Sequence, residues 1–410
     1  MQRTKKFFKG CSALLTGVSI PLLALIGYLN DTLPDRFYVT EGEPFAIHSG
    51  FDIKTSEQGR ELLQETYGAA GNLYTTDLKL WGGLELKPVT VEVVDRVVVA
   101  PGGTPFGIKM FTRGVMVVGM SSVETADGLV NPAKEAGLQM GDMILSLNGK
   151  EVAGNEEVAR VVAQSGGDVV LCQYSRGGEK KTARLYPVRC AADGSYKLGI
   201  WVRDSSAGIG TLTFCDFDSR IFAGLGHGVC DVDTRELLPL MSGEVVDVTI
   251  SSVVKGRSGS PGELRGSFRQ DGRIGSLKLN SETGVFGTLE LSYVNPYQIP
   301  LGYRQEVEEG PASILTTISG SQPQGFAIQI EKVNFSDESP TKNMVIRITD
   351  PVLLEKTGGI VQGMSGSPIL QNGKLVGAVT HVFVNDPARG YGIFAENMYQ
   401  TANFVETERG

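Results

Sequence analysis

From about Ala191 to the C-terminus, short apolar runs alternate with turns rich in Gly, Asp and Asn, and few segments have a helical period. Representative runs are GIGTLTFCD, RIFAGLGHGV, VVDVTISSVV, VFGTLEL, FAIQIEKV, NMVIRITD and LVGAVTHVFV. Many short strands separated by regular turns are typical of an antiparallel barrel or sandwich. Roughly 220 residues suffice for two six-stranded barrels, so we predict a mainly β fold that ends in a double barrel.

The size and charge of the chain restrict the other possibilities. At 410 residues it is long enough for about two to four domains. A net charge of -8 and the lack of a basic domain disfavour nucleic-acid binding. The spacings of three His and five Cys form no zinc motif, so we expect neither a metal nor a cofactor.

The N-terminus has the pattern of a membrane anchor. Four cations lie within the first nine residues, at Arg3, Lys5, Lys6 and Lys9. They precede the apolar run Cys11–Leu29, which is about long enough to cross a bilayer. The positive-inside rule places the N-terminus in the cytoplasm and the remaining chain outside. Because no clean A-x-A cleavage site follows, residues 1–34 are predicted to be an uncleaved signal anchor, with a buried core helix as the alternative.

The predicted orientation places four cysteines outside the cytoplasm, where disulfides persist. Sequence distance allows Cys215 to pair with Cys230 and Cys172 to pair with Cys190. Free buried thiols are the alternative, and the sequence does not decide between the two.

Two further domains are predicted between the anchor and the barrels. Residues 35–98 contain FYVTEGEPFAI, which alternates apolar and polar residues, and most of KPVTVEVVDRVVVAPGG, which has the pattern of one long or two short strands. They are predicted to form a small β-rich module. Residues 99–188 have the pattern of a PDZ domain. Within them, AKEAGLQMGDMILSLNGKEV predicts a short helix, a Gly-Asp turn, a strand and an Asn-Gly hairpin. The alternative is a plain β-domain with a common hairpin.

A PDZ domain binds an extended peptide by adding it to a sheet. The segment PFGI fits the loop that receives such a peptide, and a helix is expected beside it over residues 155–164. The predicted peptide-binding residues are therefore Pro105, Phe106, Gly107 and Ile108.

One hexapeptide pattern occurs twice, as GRSGSP at residues 256–261 and GMSGSP at residues 363–368. A Gly two residues before a Ser lets both amides point at a developing oxyanion, as a serine nucleophile requires. The second copy precedes the apolar hairpin ILQNGKLVGAVTHVFV, which buries the scaffold of the turn, whereas the first precedes a polar hairpin. We therefore predict Ser365 as the nucleophile, the Gly363 and Ser365 amides as the oxyanion hole, and Ser258 as a turn residue.

A nucleophilic serine needs a base and an orienting acid. His227 lies where a strand meets a Gly-rich turn, and it is the predicted base. His381 is expected to pack near the nucleophile or to line the substrate site. For the acid, position alone leaves Asp350 open against several aspartates in turns, namely Asp216, Asp218, Asp231, Asp233 and Asp247.

The segment TGGIVQGMSGSPILQNGKLVGAVTHVFVNDP, Thr357–Pro387, closely resembles the C-terminal hallmark of the stage IV sporulation protein B peptidase family. LGHGVCD, ITDPVLL, the PDZ segment and KLWGGLELKPVTVEVV are similar to the same family. The resemblance implies a chymotrypsin-like double barrel over residues 189–410, with Ser365, His227 and Asp350 as the catalytic triad. Ser367 stands where the wider chymotrypsin-like group often has Gly.

The resemblance also implies a function. Members of this family are self-cleaving serine endopeptidases, anchored or secreted, which act between the two forespore membranes of endospore-forming bacteria. They cleave a membrane-bound regulator of an intramembrane metalloprotease, and this leads to pro-sigma-K processing. The implied partners are therefore the chain itself, that regulator and the membrane.

Two other functions compete with this expectation. The first is an envelope quality-control protease, although in such proteins the PDZ domain usually follows the protease domain. The second is a non-catalytic PDZ adaptor, which the intact Ser, His and Gly of the predicted site disfavour.

Overall fold

The computed structural model describes residues 19–48, 50–55 and 71–407. A helix, α1, covers residues 19–32. It leads into a four-stranded sheet whose order is β1-β4-β3-β2. The strands are β1 Arg36–Thr40, β2 Ile53–Thr55, β3 Leu73–Leu80 and β4 Leu84–Val94.

The last turn of α1 packs against the four-stranded sheet. Leu29 and Leu33 are buried in the same cluster as Phe37 and Val91. The Lys87 ammonium donates to the Asn30 carbonyl at 3.1 Å, and a cation at a helix C-terminus is favourable. Most of the predicted anchor, residues 1–34, lies outside the described residues. Within the described part of the chain, no helix is long and apolar enough to span a bilayer.

The next segment contains the predicted PDZ domain. Its strands are β5 Val98–Pro101, β6 Pro105–Met120, β7 Val123–Thr125, β8 Gly128–Val130, β9 Met143–Leu147, β10 Lys150–Glu151, β11 Val170–Arg176, β12 Glu179–Leu185, β13 Val188–Arg189 and β14 Tyr196–Lys197. Its helices are α2 Pro132–Glu135 and α3 Asn155–Gln164.

The turns predicted in this segment are confirmed. Asn148 and Gly149 both have positive φ, as a tight hairpin turn requires. In the Gly-Asp turn, Gly141 has φ +90°, and the buried Asp142 carboxylate binds the Arg176 guanidinium at 2.6 Å.

The remaining chain, together with β6, forms two barrels. The first part contributes β15 Ile200–Cys215, β16 Ile221–Gly224, β17 Leu240–Val254, β18 Glu263–Ser281, β19 Gly284–Leu289 and β20 Ile299–Pro300. The second part contributes β21 Gly310–Thr316, β22 Gln324–Val333, β23 Met344–Ile348, α4 Pro351–Thr357, β24 Pro368–Gln371, β25 Lys374–Phe383, β26 Asp386–Phe394 and α5 Ala395–Thr407. Short 3-10 turns cover Leu291–Tyr293 and Arg304–Glu306.

Both barrels have six strands. The first barrel is the ring β6-β17-β18-β19-β16-β15, which the pairing of β6 with β15 closes. The second barrel closes in the order β21-β22-β23-β26-β25-β24. Alternation of buried side chains explains why these segments form barrel walls: on β22, Phe326, Ile328 and Ile330 point into the core. The mainly β double barrel predicted from the spacing of apolar runs is therefore confirmed.

The domain boundaries differ from the predicted ones because β6 and β15 belong to two domains. The first half of β6 pairs with β17 in the first barrel, and its second half pairs with β9 of the PDZ sheet. β15 pairs with β6 in both the first barrel and the PDZ domain. The PDZ domain is thus inserted between two strands of the first barrel, and the predicted boundaries at residues 99 and 189 do not follow the sheets.

The same pairing overturns the predicted peptide-binding loop. Pro105, Phe106, Gly107 and Ile108 lie in the barrel half of β6, with β15 on one side and β17 on the other. Phe106 is 1% exposed, in an edge-to-face contact with the Phe222 ring. A strand that is paired on both edges cannot accept a peptide, so this prediction is wrong.

Candidate active site

The second copy of the hexapeptide forms a tight loop between α4 and β24, which we call the nucleophile loop (residues 358–367). Gly363 and Gly366 have φ of +97° and +92°, a region that favours glycine. At Gly366 a Cβ atom would lie 2.1 Å from the Thr211 carbonyl oxygen. The loop therefore needs glycine at this position to approach the first barrel.

Two threonines of the first barrel hold the nucleophile loop. The Thr211 hydroxyl donates to the Gly363 carbonyl and the Thr213 hydroxyl donates to the Gly366 carbonyl, both at 2.8 Å. The Thr211 amide also donates to the Ser365 carbonyl at 2.9 Å. The prediction from sequence missed these residues. Their signal is GTLTF, a strand with a threonine at every second position in an otherwise apolar run.

The amides of the loop fit the predicted oxyanion hole. The Met364 amide donates to the Val361 carbonyl. The Gly363 and Ser365 amides make no hydrogen bond to another described residue. Two unbonded amides that flank a bonded one, on a loop fixed from behind, are the donors that an oxyanion requires.

His227 follows a sharp turn after β16. Leu225 and Gly226 have φ of +67° and +69°, and a Cβ atom on Gly226 would lie 3.0 Å from the Thr380 side chain. The His227 Nδ1 atom lies 3.0 Å from the Gly228 carbonyl oxygen. Because a carbonyl only accepts, Nδ1 carries the proton and Nε2 is left as the basic nitrogen. Burial lowers the pKa of His227, so the neutral form is favoured.

Ser365 and His227 contact adjacent residues of β25 rather than each other. The Ser365 hydroxyl donates to the Thr380 carbonyl at 2.8 Å. The ring of the next residue, His381, lies 4.9 Å from the His227 ring. His381 thus packs against the predicted base, and its place near the nucleophile loop or in the substrate site stays a prediction. Burial, chiefly, and the nearby His227 lower the pKa of His381 to about 4.

Asp350 makes its hydrogen bonds to the start of α4 and not to His227. It is the N-cap of α4, where its Oδ1 atom accepts from the Val352 and Leu353 amides at 2.9 and 3.0 Å. Among the described residues, no hydrogen bond joins Asp350 or another carboxylate to His227. The assignment of Asp350 as the orienting acid stays a prediction.

Four of the five competing aspartates have other partners, and Asp218 is exposed. Asp231 and Asp233 pair with Arg203, and Asp247 pairs with Arg269. Asp216 accepts from Ser219.

The first copy of the hexapeptide is a structural turn. Ser258 is exposed, and its hydroxyl donates to the Asn385 carbonyl at 2.9 Å. The Gly259 amide donates to the Val384 carbonyl, and the Gly256 amide donates to the Thr357 carbonyl. The turn thus joins the β25–β26 hairpin to the start of the nucleophile loop, which agrees with Ser258 as a turn residue.

The four described cysteines, Cys172, Cys190, Cys215 and Cys230, are free thiols. Burial raises the pKa of Cys172 and Cys215 to about 12. These thiols are therefore packing groups rather than reactive ones.

An open strand edge of the PDZ sheet lies at the start of β15. Residues 200–203 pair with β6 on one side, and among the described residues no strand covers their other side. Helix α3 lies beside this edge, since the Asn155 amide donates to the Asp204 carboxylate at 3.0 Å. Leu198 and Gly199 precede the strand, and LGI at this point repeats the pattern of PFGI. The prediction of PFGI as the peptide-binding loop overlooked this second occurrence of the pattern.

The chain is similar to several known proteins. A PDZ-domain family model matches residues 131–174. A protein of Lactococcus lactis subsp. lactis, named as the zinc metalloprotease LL2128, is 35% identical over 98 residues. That match covers 23% of this chain and 22% of the relative, so the chain spans about a fifth of that protein's length.

Three solved structures are also similar. The PDZ domain of the SdrC-like protein Lmo2051 from Listeria monocytogenes is 24% identical over 22% of this chain and 87% of that chain, with a TM-score of 0.18. The inactive form of the Rv3671c protease from M. tuberculosis is 12% identical over 48% and 84%, with a TM-score of 0.27. The HtrA-type protease AlgW with a decapeptide is 13% identical over 50% and 55%, with a TM-score of 0.30.

A family model described as SpoIVB peptidase S55 matches residues 194–399. The match spans just over half of the 410-residue chain. It includes the nucleophile loop, His227 and Asp350. The chain therefore belongs to the SpoIVB peptidase S55 family and contains a PDZ domain.

Proposed function

We propose that Ser365 attacks the scissile carbonyl while His227 Nε2 takes its proton and later returns it to the leaving amine. The Gly363 and Ser365 amides stabilise the oxyanion, and an acyl-enzyme forms and is hydrolysed. The observation that carries this proposal is the pair of unbonded amides on a loop that Thr211 fixes from behind. Asp350 is the proposed orienting acid, supported by its place in the ITDP motif.

The substrate is proposed to bind as an added strand along β25. β24 pairs with β25 only as far as Ala378, and the β25–β26 register shifts between Val379 and Val382. At this register shift Thr380 is buried, and its carbonyl accepts from the Ser365 hydroxyl. A peptide amide that bonds to the Thr380 carbonyl would displace the Ser365 hydroxyl, which then rotates toward His227. Substrate binding would thus release the nucleophile from its resting hydrogen bond.

The pH dependence of the reaction follows from the lowered pKa values of the two histidines. A histidine whose pKa is lowered stays neutral, and able to act as a base, as the pH falls below the ordinary value of 6.5. We expect the acid limb of kcat/KM for a peptide substrate to have its midpoint below pH 6.5. Because the pKa of His381 is about 4, it adds no second step between about pH 5 and 8. A midpoint above 6.5 would contradict this assignment of His227.

For the biological role, we propose that the endopeptidase signals during sporulation. It is held by its N-terminal anchor in the space between the forespore membranes and cleaves itself near the N-terminus. It then cleaves a membrane-bound regulator of an intramembrane protease, which leads to pro-sigma-K processing. Membership of the S55 family, the PDZ domain and the cationic, apolar N-terminus support this role.

Mass spectrometry of the purified full chain tests the proposed role. We expect a few defined cuts in the N-terminal part and their absence from a Ser365→Ala chain. Casein, as an unfolded substrate, should remain largely intact. Processive degradation of casein by the wild-type chain would favour the quality-control alternative. A chain that never cuts itself, although folded, would argue for the adaptor.

A further inference from the structure

The turn between β3 and β4 presents apolar side chains to solvent. Trp81 is 56% exposed and has a φ of +54°, a conformation that bulky residues rarely adopt. Leu84, on the same turn, and Phe51, on the neighbouring segment, are 36% and 37% exposed. The Trp81 amide donates to the Asp52 carbonyl, which ties the two segments together. We call residues 81–84 with Phe51 the hairpin tip.

Helix α1 passes beside the hairpin tip. Its last turn is fixed by Lys87, three residues after the tip. Tyr28 and Leu29 share a cavity of about 100 Å³ with Phe51 and Ile53. Because Ile53 pairs with Leu80, this part of the helix lies at the tip end of the sheet.

The preceding residues of α1 include two exposed apolar side chains. Ile20 and Leu23 are 68% and 67% exposed. They lie roughly 12 and 8 Å before Tyr28 along the helix axis, at 1.5 Å per residue. The exposed apolar part of α1 therefore leads directly into the turn of the helix that lies beside the hairpin tip, and most of α1 belongs to the apolar run Cys11–Leu29.

From this arrangement we propose that the hairpin tip inserts into the headgroup region of the bilayer that holds the anchor. A tryptophan with an exposed indole suits the membrane interface, where one side of the ring is apolar and its N–H stays wet. Of the lysines that flank the tip, Lys54 is paired with Asp52 at 3.3 Å and Lys79 is half-buried, so the tip is proposed to insert through its apolar side chains rather than through charge. The tip would set the height of the barrels above the membrane. This inference rests on the proposed membrane anchor.

The chain offers a matched pair of probes, because Trp81 and Trp201 are its two tryptophans and both are exposed. A Trp201→Phe chain leaves Trp81 as the single fluorophore, and a Trp81→Phe chain leaves Trp201, on the PDZ strand β15. Each full-length chain, with Ser365→Ala added to prevent self-cleavage, is reconstituted into phosphatidylglycerol-containing vesicles with or without brominated acyl chains. Flotation of the same vesicles reports anchoring independently.

We expect brominated lipid to quench Trp81 and to shift its emission to shorter wavelength, while Trp201 is unchanged. If the protein floats but Trp81 is not quenched, the tip does not insert into the bilayer, whereas the membrane anchor still holds. The exposed tip would then be a site for a protein partner. Equal quenching of both tryptophans would also overturn the inference, because the contact would then be unspecific. Protein that fails to float would overturn the anchor and the tip together.

Discussion

A Ser365→Ala chain is expected to lose self-cleavage and labelling by a fluorophosphonate while it keeps its fold. The variant removes the hydroxyl that attacks the carbonyl and leaves the two oxyanion amides in place. Loss of a serine nucleophile lowers kcat by about 10⁴-fold or more, the remainder coming from the oxyanion hole and binding. Gel fluorescence after labelling and mass spectrometry of fragments measure the loss, and far-UV circular dichroism checks the fold.

Ser258→Ala is the matched control, because its hexapeptide differs from the other by one residue. It removes one exposed hydrogen bond to the Asn385 carbonyl, so the stability should fall by at most about 1 kcal/mol. Labelling and cleavage should stay at the level of the unchanged chain. A Ser258→Ala chain that folds but neither labels nor cleaves would reopen the choice between the two serines.

The comparison of the two hexapeptides shows which kind of sequence signal was informative. The six letters alone do not rank them, whereas the apolar hairpin after Pro368 predicts a buried scaffold. The structure places that hairpin in the second barrel as β24 and β25. The double barrel was predictable for the same reason, since alternation and turn residues are local signals.

The peptide-binding loop was not predictable in this way. PFGI has the local pattern of a PDZ loop, but its partners are residues 208–211 and 245–247, roughly a hundred or more positions away. Long-range pairing overrides a local pattern because a strand is stabilised by its neighbours. Thr211 and Thr213 were missed for the same reason, because their role appears only when the two barrels meet.

Two substitutions separate a catalytic role of Asp350 from its role as the N-cap of α4. Asn is as good an N-cap as Asp, so Asp350→Asn should keep α4 and the melting temperature while it removes the negative charge. If Asp350 orients His227 in the working enzyme, turnover of a peptide substrate should fall by about 10²–10⁴-fold.

Asp350→Ala should lose the cap as well, with about 1 kcal/mol of stability, which thermal unfolding measures. A different pattern, in which Asp350→Asn keeps near-normal turnover and only Asp350→Ala lowers the melting temperature, would leave Asp350 as a helix cap. The Gly228 carbonyl, which already holds the proton on Nδ1 of His227, would then set the tautomer without a carboxylate. The kinetic comparison therefore decides between a triad and a Ser-His dyad.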